Sequence, residues 1–321
     1  MRLFEKIVKM KQPQLKRWLK NRYTGKNFDI IDAKGYLLII PKENPAPILL
    51  TAHMDTVHEK QVRQIIVEKH VGKTIVSSPQ GIGGDDRCGI YMITRILDDG
   101  MRPYVLFCED EEIGCVGAGR FAIGKDKELI TDKVKFIVEL DRRNATDAVF
   151  YDCDNPDFTE YIEKTTGYKK ADGSYSDICE IAPEVKAAAV NLSCGYYHEH
   201  TLQHYVVWEE MINTLKVTKK LIKSAKKETT PKYEYIESKY SRWFMDDWYS
   251  NYDNYGYKYS GGYGVKSHIN EEVYCEIAWM DPESKKMEYD SIVGRSYEEC
   301  IGMFLMEHWN LSYKDIEITE Y

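Results

Sequence analysis

Short apolar runs alternate with segments that repeat apolar residues every three to four positions over the first two-thirds of the chain. FDIIDAKGYLLII (28–40), APILLTAH (46–53), VRQIIVEKH (62–70), KTIVSS (73–78), YVLFCED (104–110), KVKFIVELD (133–141) and KAAAVNLS (186–193) read as strands. Between them, DRCGIYMITRILDD (86–99) has the helical repeat, VGAGRFAI (116–123) reads as a short helix, and DFTEYIEKTTG (157–167) as a helix closed by glycine. The N-terminal MRLFEKIVKMKQPQLKRWLK predicts a first amphipathic helix, and HYVVWEEMINTLKVTKKLIKSAKK (204–227) a long closing one. Strand and helix in this order predict an α/β fold of three αβα layers around a mixed, mostly parallel sheet. Ligands of such sheets bind beyond the carboxyl ends of the strands.

The character changes after residue 228. KYEYIESKYSRWFMDDWYSNYDNYGYKYSGGYG is crowded with tyrosine, tryptophan, asparagine and glycine. The expected organisation is a catalytic-type domain over 1–228 and an aromatic-rich C-terminal extension or small domain over 229–321. Within the latter, 229–265 reads as a joint, EEVYCEIAWMD (271–281) as a strand and SYEECIGMFLMEHW (296–309) as a helix. The aromatic density suits either a small core of its own or a surface that joins copies of the chain into a homo-oligomer.

Charge and cysteine usage narrow the partners. A formal net charge of −8 argues against nonspecific nucleic-acid binding. The basic run at Lys219, Lys220, Lys223, Lys226 and Lys227 reads as the wet side of a helix. No stretch approaches the roughly 20 apolar residues that span a bilayer, and the N-terminus lacks the pattern of a secretory signal. Eight cysteines without a C-x-x-C pair read as reduced, which predicts a cytoplasmic protein.

Candidate chemistry sits where predicted strands end. HMD (53–55), GIGGDDRCG (81–89), CEDEEIG (108–114), VELD (138–141) and YYHEH (196–200) each close a strand or open a helix. Singly they have ordinary readings: Asp85 and Asp86 as helix caps, Glu111 and Glu112 as solvated acids. Jointly, apolar strands that run straight into several ionisable groups would bury unpaired charge at a cost of several kcal/mol unless cations compensate. Histidines with carboxylates form the ligand set of zinc or a similar divalent ion. Two ions about 3.5 Å apart that share one carboxylate would satisfy all the groups and leave one acid free to move protons.

These segments resemble the zinc exopeptidases of the M20, M28 and M42 clan, most closely the M20 family in its peptidase T-like branch. The resemblance covers roughly residues 1–225 and rests on motifs in family order. TAHMDTV matches the family's H-x-D-T, which makes His53 a metal ligand and Asp55 the residue that orients it. GGDDRCG resembles the family's G-x-x-D-D-K-x-G, which makes Asp85 the bridging ligand, with Arg87 in place of lysine. DEEIG supplies Glu111 as the catalytic base and Glu112 as a ligand, and VELD supplies Asp141. YYHEHTLQHY places His200 before Thr201 as the last ligand, with His198 as the alternative, and His204 stands where the family has an acid. His58 reads as supporting or surface. Ser174, Ser176 and Asp177 of ADGSYSDICE resemble a turn near the substrate end of the cleft, or a loop and cap.

The resemblance implies a zinc-exopeptidase, phosphorylase/hydrolase-like fold with two Zn2+ per chain, Co2+ or Mn2+ serving as substitutes. It implies hydrolysis of short peptides, first as an aminopeptidase, with carboxypeptidase, dipeptidase or N-acyl amino acid deacylase action as alternatives on the same centre. An arginine placed to hold a substrate carboxylate would discriminate among them, and Arg87, Arg120, Arg142 and Arg143 are the candidates. A non-catalytic metal-containing binding or assembly protein is the rival from another class. Only 58 residues separate Asp141 from His200, too few for the family's inserted dimerisation or lid domain. The chain is therefore expected to resemble the bare catalytic domain.

Overall fold

The computed structural model describes residues 1–58, 60–238, 273–280, 287–294 and 316–320. The chain divides into two compact units, Met1–Asn254 and Tyr255–Tyr321. The first begins with α1 (Arg2–Val8) and α2 (Gln12–Tyr23), followed by β1 (Phe28–Ala33), β2 (Tyr36–Pro41), β3 (Ala46–His53), β4 (Ile66–His70) and β5 (Lys73–Ser77). Next come α3 (Gly84–Asp98), β6 (Pro103–Cys108), α4 (Val116–Ile123), a 3-10 turn at Lys125–Leu129, β7 (Ile137–Arg142) and β8 (Asp147–Val149). The unit continues with α5 (Pro156–Thr166), β9 (Lys169–Ala171), α6 (Asp177–Val185), β10 (Ala189–Ser193), β11 (Tyr196–Tyr197), β12 (Tyr205–Val207) and α7 (Trp208–Ala225).

Three expectations are corrected. The run 28–40 is a hairpin rather than one strand, because Gly35 at φ 99° permits a two-residue turn between Ala33 and Tyr36. The N-terminal helix is two helices, the second starting with Pro13 in its first turn, where the missing N–H costs nothing. The closing helix starts at Trp208, not at 204, because Tyr205–Val207 pairs with β5 instead. In each case a local pattern that also fits a longer element yields to a turn or a pairing partner distant in sequence.

The main sheet has eight strands in the order β1-β2-β6-β3-β7-β10-β8-β9. Its centre, β6-β3-β7-β10, is parallel, and the antiparallel pairings of β1, β2 and β8 make it mixed. Helices α1, α2, α3, α5 and α7 bury one face, and α4 and α6 the other. The three-layer αβα fold expected from the sequence is therefore the fold observed. A second sheet, β11-β12-β5-β4, carries the loop that contains His200.

Successive strand residues alternate between the two layers. Ile48, Leu50 and Ala52 of β3 face α3 and α7, whereas Leu49 faces α4 and α6. In register beside Leu49 lies Ile137, then Thr51 beside Glu139, and the next residues on this face are His53 and Asp141. Within five residues the face passes from apolar Leu49 through Thr51 to His53 on β3, and from apolar Ile137 to the acids Glu139 and Asp141 on β7. That progression is what aims His53 and Asp141 at a common volume.

The second unit contains a three-stranded antiparallel sheet of β13 (Val273–Met280), β14 (Met287–Gly294) and β15 (Ile316–Glu320) in the order β14-β13-β15. The helix expected at 296–309, and most of the joint at 229–265, lie outside the described residues. Among the described residues no helix is long and apolar enough to cross a membrane.

Helix α3 approaches β7 so closely that a Cβ on Gly89 would lie 2.5 and 2.7 Å from the carboxylate oxygens of Asp86 and would overlap the Leu140 carbonyl. Gly89→Ala is expected to destabilise the protein by about 1–3 kcal/mol through overpacking, measured by urea unfolding. A loss under about 0.5 kcal/mol would show that α3 can move off the strand without penalty.

Candidate metal centre

The adjacent acids Asp85 and Asp86 have different tasks. They open α3 outside helical φ/ψ and are joined by a cis peptide bond. Asp86 Oδ1 accepts from the Gly89 N–H at 2.8 Å, as a cap does, and its Oδ2 accepts from the His53 N–H at 3.3 Å. Asp85 is left to point both oxygens at side chains. Its Oδ1 lies 2.9 Å from His53 Nε2 and its Oδ2 3.5 Å from His200 Nε2.

The run of acids after β6 divides in the same way. Glu109 Oε2 pairs with Lys16 at 2.6 Å and accepts from the Gly35 N–H at 3.0 Å. Asp110 accepts from Gln12 Nε2 at 2.8 Å. Both acids therefore tie the loop to α2 and the β1–β2 hairpin. Glu112 Oε2 lies 3.0 Å from His200 Nε2, while its Oε1 is buried without a hydrogen-bond partner. Glu111 accepts only a long contact from Cys115 Sγ, at 3.7 Å.

Two triads result: His53, Asp85 and Asp141, and Asp85, Glu112 and His200, each with ligand atoms within 4.8 Å of one another. Asp85 belongs to both, one oxygen toward each, as a bridging carboxylate requires. Glu111 belongs to neither. Asp55 Oδ1 lies 3.2 Å from His53 Nδ1, which leaves Nε2 facing the centre. The same carboxylate accepts from the backbone N–H groups of Glu111 and Glu112 at 3.1 and 3.0 Å, so one residue positions a histidine and the loop with the two glutamates. Asp141 is held by the bond from its N–H to Asn191 Oδ1 at 2.9 Å, and Tyr196 Oη donates to its carbonyl at 3.0 Å.

The field of these groups calls for cations. Burial raises Asp141 to about 8, with the charge of Asp85 adding to it. Burial likewise raises Glu111 to about 9, offset in part by His53 and reinforced by Asp141 and Asp177. Burial opposes charge on Asp85 too, yet its bonds to His200 and His53 hold it well below the usual carboxylate range. Bonds to Asp85 and Glu112 lift His200 to about 11. Two histidines and three carboxylates, one of them shared and one with an orphaned oxygen, fit a pair of divalent ions, and Zn2+, Co2+ and Mn2+ all suit this donor set. Such ions would invert the local field that otherwise keeps the acids protonated. The His53 side chain is 0% exposed and that of His200 49%, so the centre opens on the His200 side.

The neighbouring candidates fall elsewhere. His198 lies outside both triads, its ring 5.6 Å from Tyr205, and its carbonyl accepts from Thr201 Oγ1 at 2.8 Å. His58 and His204 face each other at 5.9 Å between rings, and burial lowers both, His204 to about 4. Arg143 pairs with Glu199 at 2.6 Å, and Arg142 donates to the Asp172 carbonyl at 2.9 Å. Ser176 is the N-cap of α6, but its side chain makes no cap bond.

Two buried acids of the site carry no hydrogen bond on either carboxylate oxygen: Glu139, which the strand pattern did not single out, and Asp177. The i, i+2 spacing of Glu139 and Asp141 in VELD was the available signal, since both must share a face.

No family model matches the chain, and no curated protein matches its sequence. Solved structures do match its fold. Aminopeptidase PepT from Bacillus cereus is 15% identical with a TM-score of 0.55, over 70% of this chain and 98% of that one. A tripeptidase from Staphylococcus aureus is 13% identical with a TM-score of 0.55, over 69% and 96%. An aminopeptidase from the archaeon Desulfurococcus kamchatkensis is 13% identical with a TM-score of 0.51, over 71% and 98%. Likeness at this identity establishes the architecture. Fold and triads together define an α/β protein with a two-part candidate metal centre.

Replacing the shared ligand is expected to cost more metal than replacing a ligand of one triad. Asp85→Ala should hold less than one ion per chain by elemental analysis, and Asp141→Ala more than Asp85→Ala; equal retention would deny the bridging role.

A second expectation follows from protonation. Asp141, Glu111 and Asp177, the last raised by burial to about 6, hold protons in the folded chain that the unfolded chain releases near about pH 4. Stability without metal therefore falls as pH rises toward the folded values. His200, raised above its unfolded value, acts the same way above about pH 6.5. The lowered Asp55 and Asp85 matter only below the ordinary carboxylate range, and the lowered His58 and His204 only below about pH 6.5. In EDTA the Tm should drop between about pH 7 and pH 9, followed by circular dichroism, and added Zn2+ should remove the drop. A Tm that rises over this interval in EDTA would contradict the assignment.

Proposed function

We propose that this chain is a metal-dependent hydrolase that cleaves amide bonds in short peptides, a zinc exopeptidase acting first of all as an aminopeptidase. The observation that carries the reading is a carboxylate, Asp85, shared by two ligand triads, with a half-buried acid, Glu111, beside them and in neither. The peptidase folds of the matched structures support it. His53, Asp85 and Asp141 would hold one ion, and Asp85, Glu112 and His200 the other. When bound, such ions lower the pKa of a water, polarise a carbonyl and stabilise the developing oxyanion.

The remaining work belongs to the chain's own groups. Glu111 takes a proton from the attacking water and returns it to the departing nitrogen, which lets a poor leaving group depart as an amine. Asp55 fixes the His53 ring and, through its bonds to the 111 and 112 amides, keeps Glu111 at a constant position relative to the ligands. The abundance of buried acids suits a substrate with a free amine. A metal held for structure alone has no use for Glu111, whose partial burial costs stability and gains no strong hydrogen bond.

The test is turnover of a panel of di- and tripeptides and N-acyl amino acids by wild type, Glu111→Gln and His53→Ala, with metal content measured in parallel. Wild type is expected to hold about two ions per chain and hydrolyse part of the panel. Glu111→Gln should keep the metal and lose at least about 10²-fold in kcat, while His53→Ala should lose metal. Full activity in Glu111→Gln, or no divalent metal after reconstitution with Zn2+, Co2+ or Mn2+, would refute the mechanism.

A further inference from the structure

Three imidazole nitrogens outside the two triads are buried and unused. Among the described residues, His204 Nδ1, His204 Nε2 and His58 Nε2 have no hydrogen-bond partner. A neutral imidazole carries one donor and one acceptor, and buried groups of either kind are almost always paired in folded proteins. His204 is 1% exposed, so bulk water does not satisfy it. Neither ring belongs to a triad.

The backbone makes room for both rings. His58 lies against Gly81, where a Cβ would stand 2.5 and 2.6 Å from its two nitrogens, and His204 lies against Gly84, where a Cβ would stand 2.9 Å from Nε2. These glycines belong to the turn that leads into Asp85. The aromatic neighbour of His204 is Tyr196, at 5.4 Å between rings, and the Tyr196 hydroxyl donates to the Asp141 carbonyl instead. His58 is half-buried and, with Asp55, Gly83 and Arg87, walls a cavity of about 260 Å3, so one side of the pair is not closed by packing.

The two rings stand 5.9 Å apart between centroids, tilted by 55°. A histidine nitrogen binds Zn2+ at about 2.0–2.1 Å, which puts each ring centroid about 3.2 Å from the ion, so one ion can join two rings up to about 6.4 Å apart. The observed separation lies inside that reach. Burial lowers the pKa of both histidines, His204 to about 4, which keeps them in the neutral form that ligates a metal. The charge of Asp85 acts on both rings in favour of a cation.

We propose that His58 and His204 form a third metal site, separate from the two triads, which takes one ion of the imidazole-preferring class, Zn2+ first. Two neutral ligands contribute no charge, and water completes the coordination, so this ion is held less tightly than those of the carboxylate-rich centre and binds only while free metal is supplied. The inference goes beyond the hydrolase reading and does not depend on it, since no catalytic step uses the ion.

The test starts from protein loaded with Zn2+ and desalted, and adds further Zn2+ in an isothermal titration. Wild type is expected to take up about one further equivalent per chain. His58→Ala and His204→Phe each remove one ligand, the second with a ring of similar volume in its place. Both should lose that equivalent while keeping the metal content of desalted wild type and its circular dichroism. No further uptake by wild type, or uptake that persists in either folded variant, as surface-bound ions would give, would overturn the proposal. His58→Ala, at a half-buried position, decides the matter if His204→Phe does not fold. Desalted wild type without any metal would refute the centre and the hydrolase reading, whereas the difference of one equivalent between wild type and His58→Ala would still decide the histidine pair.

Discussion

Asp85, Asp86, Glu111, Glu112, Glu139, Asp141 and Asp177 gather at the carboxyl end of the central strands, and burial together with neighbouring carboxylates raises Asp86, Glu111, Glu139, Asp141 and Asp177. Mutual repulsion among buried carboxylates is the constraint to which the surrounding structure answers. Each device around the centre reduces the number of free negative charges. Asp86 spends its oxygens on the backbone of α3 and β3, Asp55 on a histidine and two amides, and Glu109 on Lys16. The groups left over form the two triads. A pair of divalent cations is the natural complement because it neutralises several acids at once without needing a lysine or arginine inside a close-packed sheet end.

Rigid placement of those groups comes from packing rather than from the ligands themselves. The close approach of α3 to β7 at Gly89 brings Asp85 over His53, and the pairing of β3 with β7 puts Asp141 on the same face. Apolar clusters on both sides of the sheet hold these elements. His200, on a loop between β11 and β12, is the more exposed ligand. One half of the centre is thus set in the core and the other is carried on a surface loop, which gives substrate a side from which to enter.

Much of this was legible in the sequence. The alternation of strand and helix announced the three-layer fold, and the segments HMD, GIGGDDRCG, CEDEEIG, VELD and YYHEH at strand ends announced which parts of the chain could converge, the individual ligands among them being named by the family resemblance. Local patterns carry this information because strand periodicity and strand ends are local properties. The same locality limits them. The turn inside 28–40 and the shortened start of α7 depend on partners elsewhere in the chain.

What the amino-acid order determined by itself is therefore the kind of chemistry and the end of the sheet where it sits. Which member of each acid pair is free for a metal was decided by the tertiary structure. Asp85 and Asp86 are identical side chains at adjacent positions, and only the Gly89 and His53 amides distinguish them. The cavity walled by Asp55, Gly83 and Arg87 is likewise assembled from segments distant in sequence: the α1–α2 junction, the loop after β3 and the start of α3. Its lining exists only once folding brings those segments together, because the electrostatic potential at a site depends on distances in space and not along the chain.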